Sequence, residues 1–369
     1  MMKKIFYLFV FLIFISFASQ AEETKKVVNI YNWSDYVSPK SLKEFEKKTG
    51  IKPVYDVYDS NQMLEAKLVV GKTGYDIVVP TSTPYLARQI KQGLFQKIDK
   101  SKLKNYENLD PFIMEMLGKA DPGNEYSVPW MWGTVGIGYN IDKVNDILKK
   151  NKLAVKPDSL SMIFDINIVK NFDGCGIGLL DSPTDIIPAA FTYLNIDINS
   201  EKEEDLRKVE ELLLSIRPYI RQIHSSKYIN DLANGDLCVV LGFSGDVIQS
   251  KNRAIEAKNG VKIEYFIPKE GGQVWVDAMA LPKDAPNLEN AYKFIDYVLQ
   301  PEVTAENSNF IGYANGNKKA LGLIDKKLKS DVNIYPDSSM KKRLFTISVP
   351  SPLHERKMVR IWTKFVSGN

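Results

Sequence analysis

Two periods of apolar and polar positions run along this chain, and the places where one gives way to the other predict alternating strands and helices. Val27 to Tyr31 is an apolar-rich run that predicts a buried strand. Ser38-Pro39 then opens a helix whose apolar face includes Leu42 and Phe45, and Gly50 stops it. Lys52 to Tyr58 predicts a second strand, a helix follows from about Asn61, and the Gly71 to Gly74 stretch breaks it. Tyr75 to Val79 is a third strand ended by Pro80, and Pro84 to Lys91 a short helix. The middle repeats the theme. It has a strand at Cys175 to Leu180, helices at about Thr184 to Leu194 and Glu203 to Ile216, and a strand at Leu237 to Gly242. Leu288 to Leu299 is amphipathic and is expected to stop at Pro301. Strand–helix–strand order of this kind predicts a parallel α/β sheet. No internal repeat and no Ser/Gly-rich linker is visible, so two lobes would be joined by ordered crossings.

The first 21 residues break this pattern. Lys3 and Lys4 precede an almost wholly apolar run from Ile5 to Phe17, and Ala18-Ser19-Gln20-Ala21 places small residues where a signal peptidase reads. Residues 1–21 are therefore expected to be a signal peptide, the apolar run being shorter than the ~20 residues of a membrane span. With 44% hydrophobic and 25% charged residues the rest is an ordinary globular chain. Its charge is near +2 once Lys3 and Lys4 are removed, too balanced to argue for nucleic acid. Cys175 and Cys238 fit one disulfide or two buried thiols, and export favours the disulfide.

Three aspartates each follow an aromatic residue: Trp33-Ser34-Asp35, Phe243-Ser244-Gly245-Asp246 and Trp275-Val276-Asp277. Aromatic faces attract cations, and carboxylates give an ammonium group its countercharge and its hydrogen-bond acceptors. The bland alternative is core aromatics beside solvated acids. Position argues against it. Ligands of open α/β sheets bind beyond the carboxyl ends of strands. Asn32 to Tyr36, Thr81-Ser82-Thr83 and Phe243 to Asp246 all follow predicted strands and would meet at one cleft edge.

Several longer stretches carry a resemblance. Ile30 to Tyr36, Tyr75 to Pro80, Val128 to Gly133 with Gly136 to Asn140, and Pro268 to Gly272 resemble the periplasmic polyamine-binding proteins of ABC importers. The stretch from His224-Ser225-Ser226 through Asp236 is similar to the putrescine-binding branch. The resemblance implies a two-lobed class II periplasmic binding fold, each lobe a mainly parallel sheet flanked by helices. Lobe 1 would comprise residues 27–134 and 277–323, and lobe 2 residues 135–276 and 324–369. It further implies a ligand trapped between closing lobes and delivered to an inner-membrane ABC permease. No cofactor, metal or nucleic acid is expected, and the working form is expected to be a monomer. Residue by residue, the pattern implies ligand contacts from Trp33, Ser34, Asp35 and Thr81 on one side and from Asp185, Phe243 and Asp246 on the other. Trp275, Asp277 and Tyr313 would come from the crossing and the returning segment. Asp246 and Asp277 would pair one ammonium, and Asp185 and Asp35 would serve the other end, partly through water. Phe243 stands where the family usually has Trp, Trp275 where it has Phe or Trp, and Asp185 where it has Glu.

Specificity has its own positions. Spermidine binders tend to carry a Tyr near Thr83 and an Asp near Ser182, and this chain has the smaller or neutral residue at both. A third ammonium would lack a buried partner there, so putrescine is expected first and spermidine second. Tyr85, two residues past Thr83, bears on the same end of the cleft. An enzyme is a poor alternative. The only histidines are His224 and His354, and neither a Gly-x-Ser-x-Gly elbow nor a His-Glu-x-x-His motif occurs. A sensor reporting polyamine to a membrane receptor would use the same pocket.

Overall fold

The structure is a computed structural model that describes residues 26–368; the expected signal peptide lies outside them. Strand β1 (Val27–Trp33) leads into helix α1 (Pro39–Thr49), which ends at Gly50 in the left-handed conformation (φ 68°) that glycine adopts without penalty. Ser38 does not cap this helix with its side chain; its Oγ instead donates to Glu306 at 3.2 Å. Strand β2 (Lys52–Tyr58), helix α2 (Asn61–Val70), strand β3 (Ile77–Val78) and the short helix α3 (Ala87–Lys91) follow. Between β3 and α3 lies an irregular turn, Ser82–Leu86, in which Thr83 is extended.

Strand β4 (Ser127–Asn140) is fourteen residues long and buried throughout. Then come β5 (Ile177–Leu179), α4 (Pro183–Tyr193), α5 (Glu203–Ile216), β6 (Ile220–Ile223), α6 (Tyr228–Asn234), β7 (Val239–Phe243) and α7 (Ser244–Ala257). Strands β8 (Ile263–Phe266) and β9 (Gly272–Ala280) precede α8 (Leu288–Val298) and α9 (Pro301–Ile311). Pro301 thus begins a helix, at the first-turn position where its missing N–H is harmless. Strands β10 (Ala314–Asn315) and β11 (Leu344–Phe345) and the C-terminal helix α10 (Pro352–Ser367) complete the chain. Among the described residues no helix is long and apolar enough to cross a membrane.

The fold is two-lobed α/β, and its strand order is β2-β1-β3-β9-β4-β7-β5-β6. β2, β1 and β3 are parallel, as are β6, β5 and β7. The two groups are joined by antiparallel strands, which makes the whole sheet mixed where parallel pairing was expected to dominate. β4 pairs antiparallel with β9 from Ser127 to Thr134, then with β7 and β8 from Val135 to Asn140. One strand therefore serves both halves. Glycines make this switch possible. A Cβ on Gly133 would stand 2.7 Å from the Trp275 ring, and one on Gly136 would collide with the Phe266 carbonyl. Cys175 and Cys238, just ahead of the parallel neighbours β5 and β7, are joined in a disulfide.

Candidate functional site

One cavity stands at the carboxyl ends of β1, β3 and β7, where it is also reached by the middle of β9 and the first turns of α4 and α7. It encloses about 760 Å³, part of it open to solvent. Nine of the ten residues expected to contact a ligand line it: Trp33, Ser34, Thr81, Asp185, Phe243, Asp246, Trp275, Asp277 and Tyr313. The specificity positions Thr83, Ser182 and Tyr85 line it as well.

Asp35 does not line it. The backbone at Asp35 is left-handed (φ 54°), which turns the exposed carboxylate away from its neighbours Trp33, Ser34 and Tyr36. It pairs instead with Arg253 on α7 at 3.1 Å. Among the expected contact residues Asp35 is thus the one that stands outside the cavity wall. Its charge still reaches the cavity, where it helps to raise the pKa of Asp246.

The remaining aspartates are held by specific donors. Asp246 lies in the first turn of α7, where the helix dipole favours a negative charge. The Tyr228 hydroxyl donates to its Oδ2 at 2.9 Å and the Tyr313 hydroxyl to its Oδ1 at 2.6 Å. The Tyr228 oxygen in turn accepts from the Phe243 backbone N–H, which ties the carboxylate to the end of β7. Asp277, on β9, accepts from Thr81 Oγ1 at 2.7 Å across the β-bridge that joins these two residues. Tyr36 stands beside Asp277 and packs edge-on against Tyr313, so Asp246 and Asp277 share one end of the cavity. Asp185 is at the start of α4, where Ser182 Oγ donates to Oδ2 at 2.5 Å and Gln273 Nε2 to Oδ1 at 3.0 Å. Between the two ends Trp275 meets Phe243 and Tyr313 at centroid distances of 5.6 and 5.4 Å.

Burial pushes all three of these carboxyl groups up, Asp185 and Asp246 to about 6 and Asp277 to about 7. Repulsion from Asp185 and Asp246 adds to the rise at Asp277. The lining contains five aspartates, these three with Asp59 and Asp181, and no Lys, Arg or His. Buried carboxylates are normally paired. This set has hydroxyl and amide donors but no cation among the lining residues. Among the described residues no group of three or more His, Cys, Asp or Glu is placed to hold a metal ion.

Sequence reasoning missed Tyr36, Tyr58, Asp59, Gln62, Asp181 and Gln273, all of which line the cavity. A signal for one was available. Gln273, Trp275 and Asp277 are spaced by two on one strand and so project to one face. Having picked out Trp275 and Asp277, the same period leads to Gln273. Tyr85 is buried on the cavity wall, and its hydroxyl accepts from Gln62 Nε2 at 2.8 Å. Aromatic cover near Thr83, expected to be missing, is therefore present.

A mixed α/β fold with an anionic, aromatic-walled cavity at its strand ends defines a binding protein for a small cationic solute. The chain belongs to the bacterial extracellular solute-binding protein family, whose model matches residues 40–336. It is 48% identical over 343 residues to the putrescine-binding periplasmic protein SpuD of Pseudomonas aeruginosa, covering 93% of this chain and 92% of that protein. It is 46% identical over 345 residues to the putrescine-binding periplasmic protein PotF of Escherichia coli, again covering 93% and 92%. Among solved structures, the spermidine/putrescine ABC transporter substrate-binding protein PotD of Streptococcus pneumoniae superposes with a TM-score of 0.74 at 27% identity, over 93% of this chain and 99% of that one.

Proposed function

We propose that this chain is a periplasmic binding protein that captures an aliphatic diamine, putrescine first, between two closing lobes and hands it to an ABC permease without chemical change. The observation that carries this reading is the charge of the cavity: five aspartates, no cation, and aromatic walls between its two ends. A diamine has matching chemistry, with an ammonium at each end and methylenes between. Asp246 and Asp277 take one ammonium and Asp185 the other. Trp33, Phe243, Trp275 and Tyr313 enclose the chain, while Ser34 and Thr81 orient the walls through Asp59 and Asp277. The lobes of this reading are residues 27–134 with 277–323 and residues 135–276 with 324–369. The change of β4 partners after Thr134 supports the first crossing. The names of SpuD and PotF support the ligand and the periplasmic setting.

Spermidine is the second reading, favoured by two observations. Tyr85 offers aromatic cover, and Asp181 offers a carboxylate next to Ser182. The test is calorimetric titration of refolded mature protein with putrescine, cadaverine, agmatine and spermidine. One-to-one binding with putrescine tightest is expected. Tighter spermidine binding would move the reading to the triamine, and no heat with any amine would end it.

A further inference from the structure

Resting on the reading of this cavity as an amine site, we propose that Gln273 is a ligand-contacting residue. Its amide carbonyl takes one N–H of the ammonium that Asp185 neutralises, and so favours a primary amine at that end. Gln273 lies on β9, on the same face as Trp275 and Asp277, and is only 6% exposed. A long amide on a buried strand must place both its donor and its acceptor. The donor is placed, since Nε2 donates to Asp185 Oδ1 at 3.0 Å.

That bond also fixes the orientation of the amide. An ionised carboxylate accepts and cannot donate, so the nitrogen faces Asp185 and the oxygen turns away. Oε1 is buried and has no hydrogen-bond partner in the protein. Because Oε1 and Nε2 share one carbon and Nε2 stands 3.0 Å from Asp185 Oδ1, Oε1 lies roughly 5 Å or less from that carboxylate oxygen, a gap that two hydrogen bonds of ordinary length can span. A single cation can therefore touch both. A buried acceptor left without a donor is unfavourable, and an amine ligand would bring the donor that the protein lacks.

The stoichiometry of donors fits a primary ammonium. It carries three N–H groups. Asp185 already accepts from Ser182 on one oxygen and from Gln273 on the other, which reduces what it can offer. The Gln273 carbonyl adds an acceptor without adding a fourth charge to Asp185, Asp246 and Asp277. An N-alkylated end has fewer N–H groups to fill these positions.

The test combines calorimetry with a crystal structure of the wild-type complex with 1,4-diaminobutane. Gln273→Met keeps the length and removes the amide; Gln273→Leu serves if the methionine variant does not fold, as judged by its melting curve. The variant is expected to bind 1,4-diaminobutane about tenfold or more weakly, the scale of one charge-assisted hydrogen bond. It is also expected to lose most of the wild-type preference for 1,4-diaminobutane over its N,N′-dimethyl derivative. The crystals should show the ligand nitrogen within hydrogen-bond distance of Gln273 Oε1 and of Asp185. Wild-type binding with an unaffected variant, or a weakened variant with no contact to Oε1 in the wild-type crystals, overturns the role of Gln273 alone. Absence of diamine binding by the wild type overturns the amine site and this inference with it.

Discussion

Asp277 accepts a hydrogen bond from Thr81 while two other buried carboxylates in the same cavity repel it. A cation placed there relieves the repulsion and restores the solvation that burial removed. Asp277→Asn keeps the shape and removes the charge. The ammonium then loses one partner of a buried pair, a loss of about 3–5 kcal/mol, or roughly two to three and a half decades of affinity. Calorimetry showing affinity within about threefold of wild type would mean that Asp277 is not the anchor. The same groups make binding depend on pH. Their folded values, about 6 for Asp185 and Asp246 and about 7 for Asp277, lie above the ~4 of an unfolded aspartate. The ligand-free fold therefore holds protons that the unfolded chain has released. Its stabilisation from these groups is full below about pH 4 and is lost as pH rises through 6 to 7. The ligand acts in the opposite sense, because its ammonium groups stay charged to about pH 10 and need ionised partners. Affinity is expected to rise between pH 5 and pH 8 with proton release on binding, and the thermal shift caused by ligand should be larger at pH 8 than at pH 5. A flat profile across that range would contradict the assignment of these carboxylates as countercharges.

At the scale of elements, the site depends on two close approaches. A Cβ at Gly245, in the first turn of α7, would overlap the Tyr313 ring, whose hydroxyl donates to Asp246. Gly245→Ala is therefore expected to displace Tyr313 and weaken ligand binding while leaving the melting cooperative; unchanged affinity would show that Tyr313 is not needed where it stands. The disulfide is the other constraint. It closes a separation of 63 residues and ties the starts of β5 and β7. In the chain-entropy model such a loop contributes of order ~4 kcal/mol, less any strain. Mass spectrometry of unreduced protein should find no free thiol, and reduction should lower the melting temperature; two alkylatable thiols in exported protein would count against the bridge. The elements also show what was legible beforehand. α1 and α5 follow their apolar periods closely, because each buries one face and exposes another. β4 and β9 were not picked out as strands, because every residue in them is buried and no alternation remains to be read. The site residues that follow strands were legible for a topological reason, since strand ends converge. The left-handed backbone at Asp35 is not visible in Trp-Ser-Asp-Tyr, and Gln273 was missed because β9 was not read as a strand, which left its two-residue spacing from Trp275 and Asp277 unused.

For the molecule as a whole, the proposed lobes both line the cavity, Trp33, Thr81 and Asp277 from one and Asp185, Phe243 and Asp246 from the other, so on that proposal closure belongs to the affinity. Among the described residues two ion pairs cross between the lobes as proposed. Asp35 meets Arg253 on α7, and Arg88, held by Glu65 at 2.6 Å, also reaches Glu355 on α10. Arg88 stacks over Tyr85 as well, 5.2 Å from the ring centroid, which couples this pair to the cavity wall. Neither pair is deeply buried. Arg253 and Asp35 are 31% and 49% exposed, and Arg88 and Glu355 19% and 39%. Exposed pairs of this kind contribute about 0–1 kcal/mol each. A change of that size in the closing equilibrium alters apparent affinity only through the fraction of molecules that are closed. Arg253→Gln and Glu355→Gln are therefore expected to weaken putrescine binding by about tenfold at most, far less than Asp277→Asn. The change should fall mainly on dissociation, since the pairs form after the ligand is enclosed, and it should shrink as salt screens the charges. Stopped-flow release measured at low and high ionic strength tests this, with small-angle scattering following the decrease in radius of gyration on ligand addition. A hundredfold loss in either variant would mean that the pair shapes the pocket itself. Equal dissociation rates in variant and wild type at low salt would mean that closure is held by the ligand and the cavity walls alone.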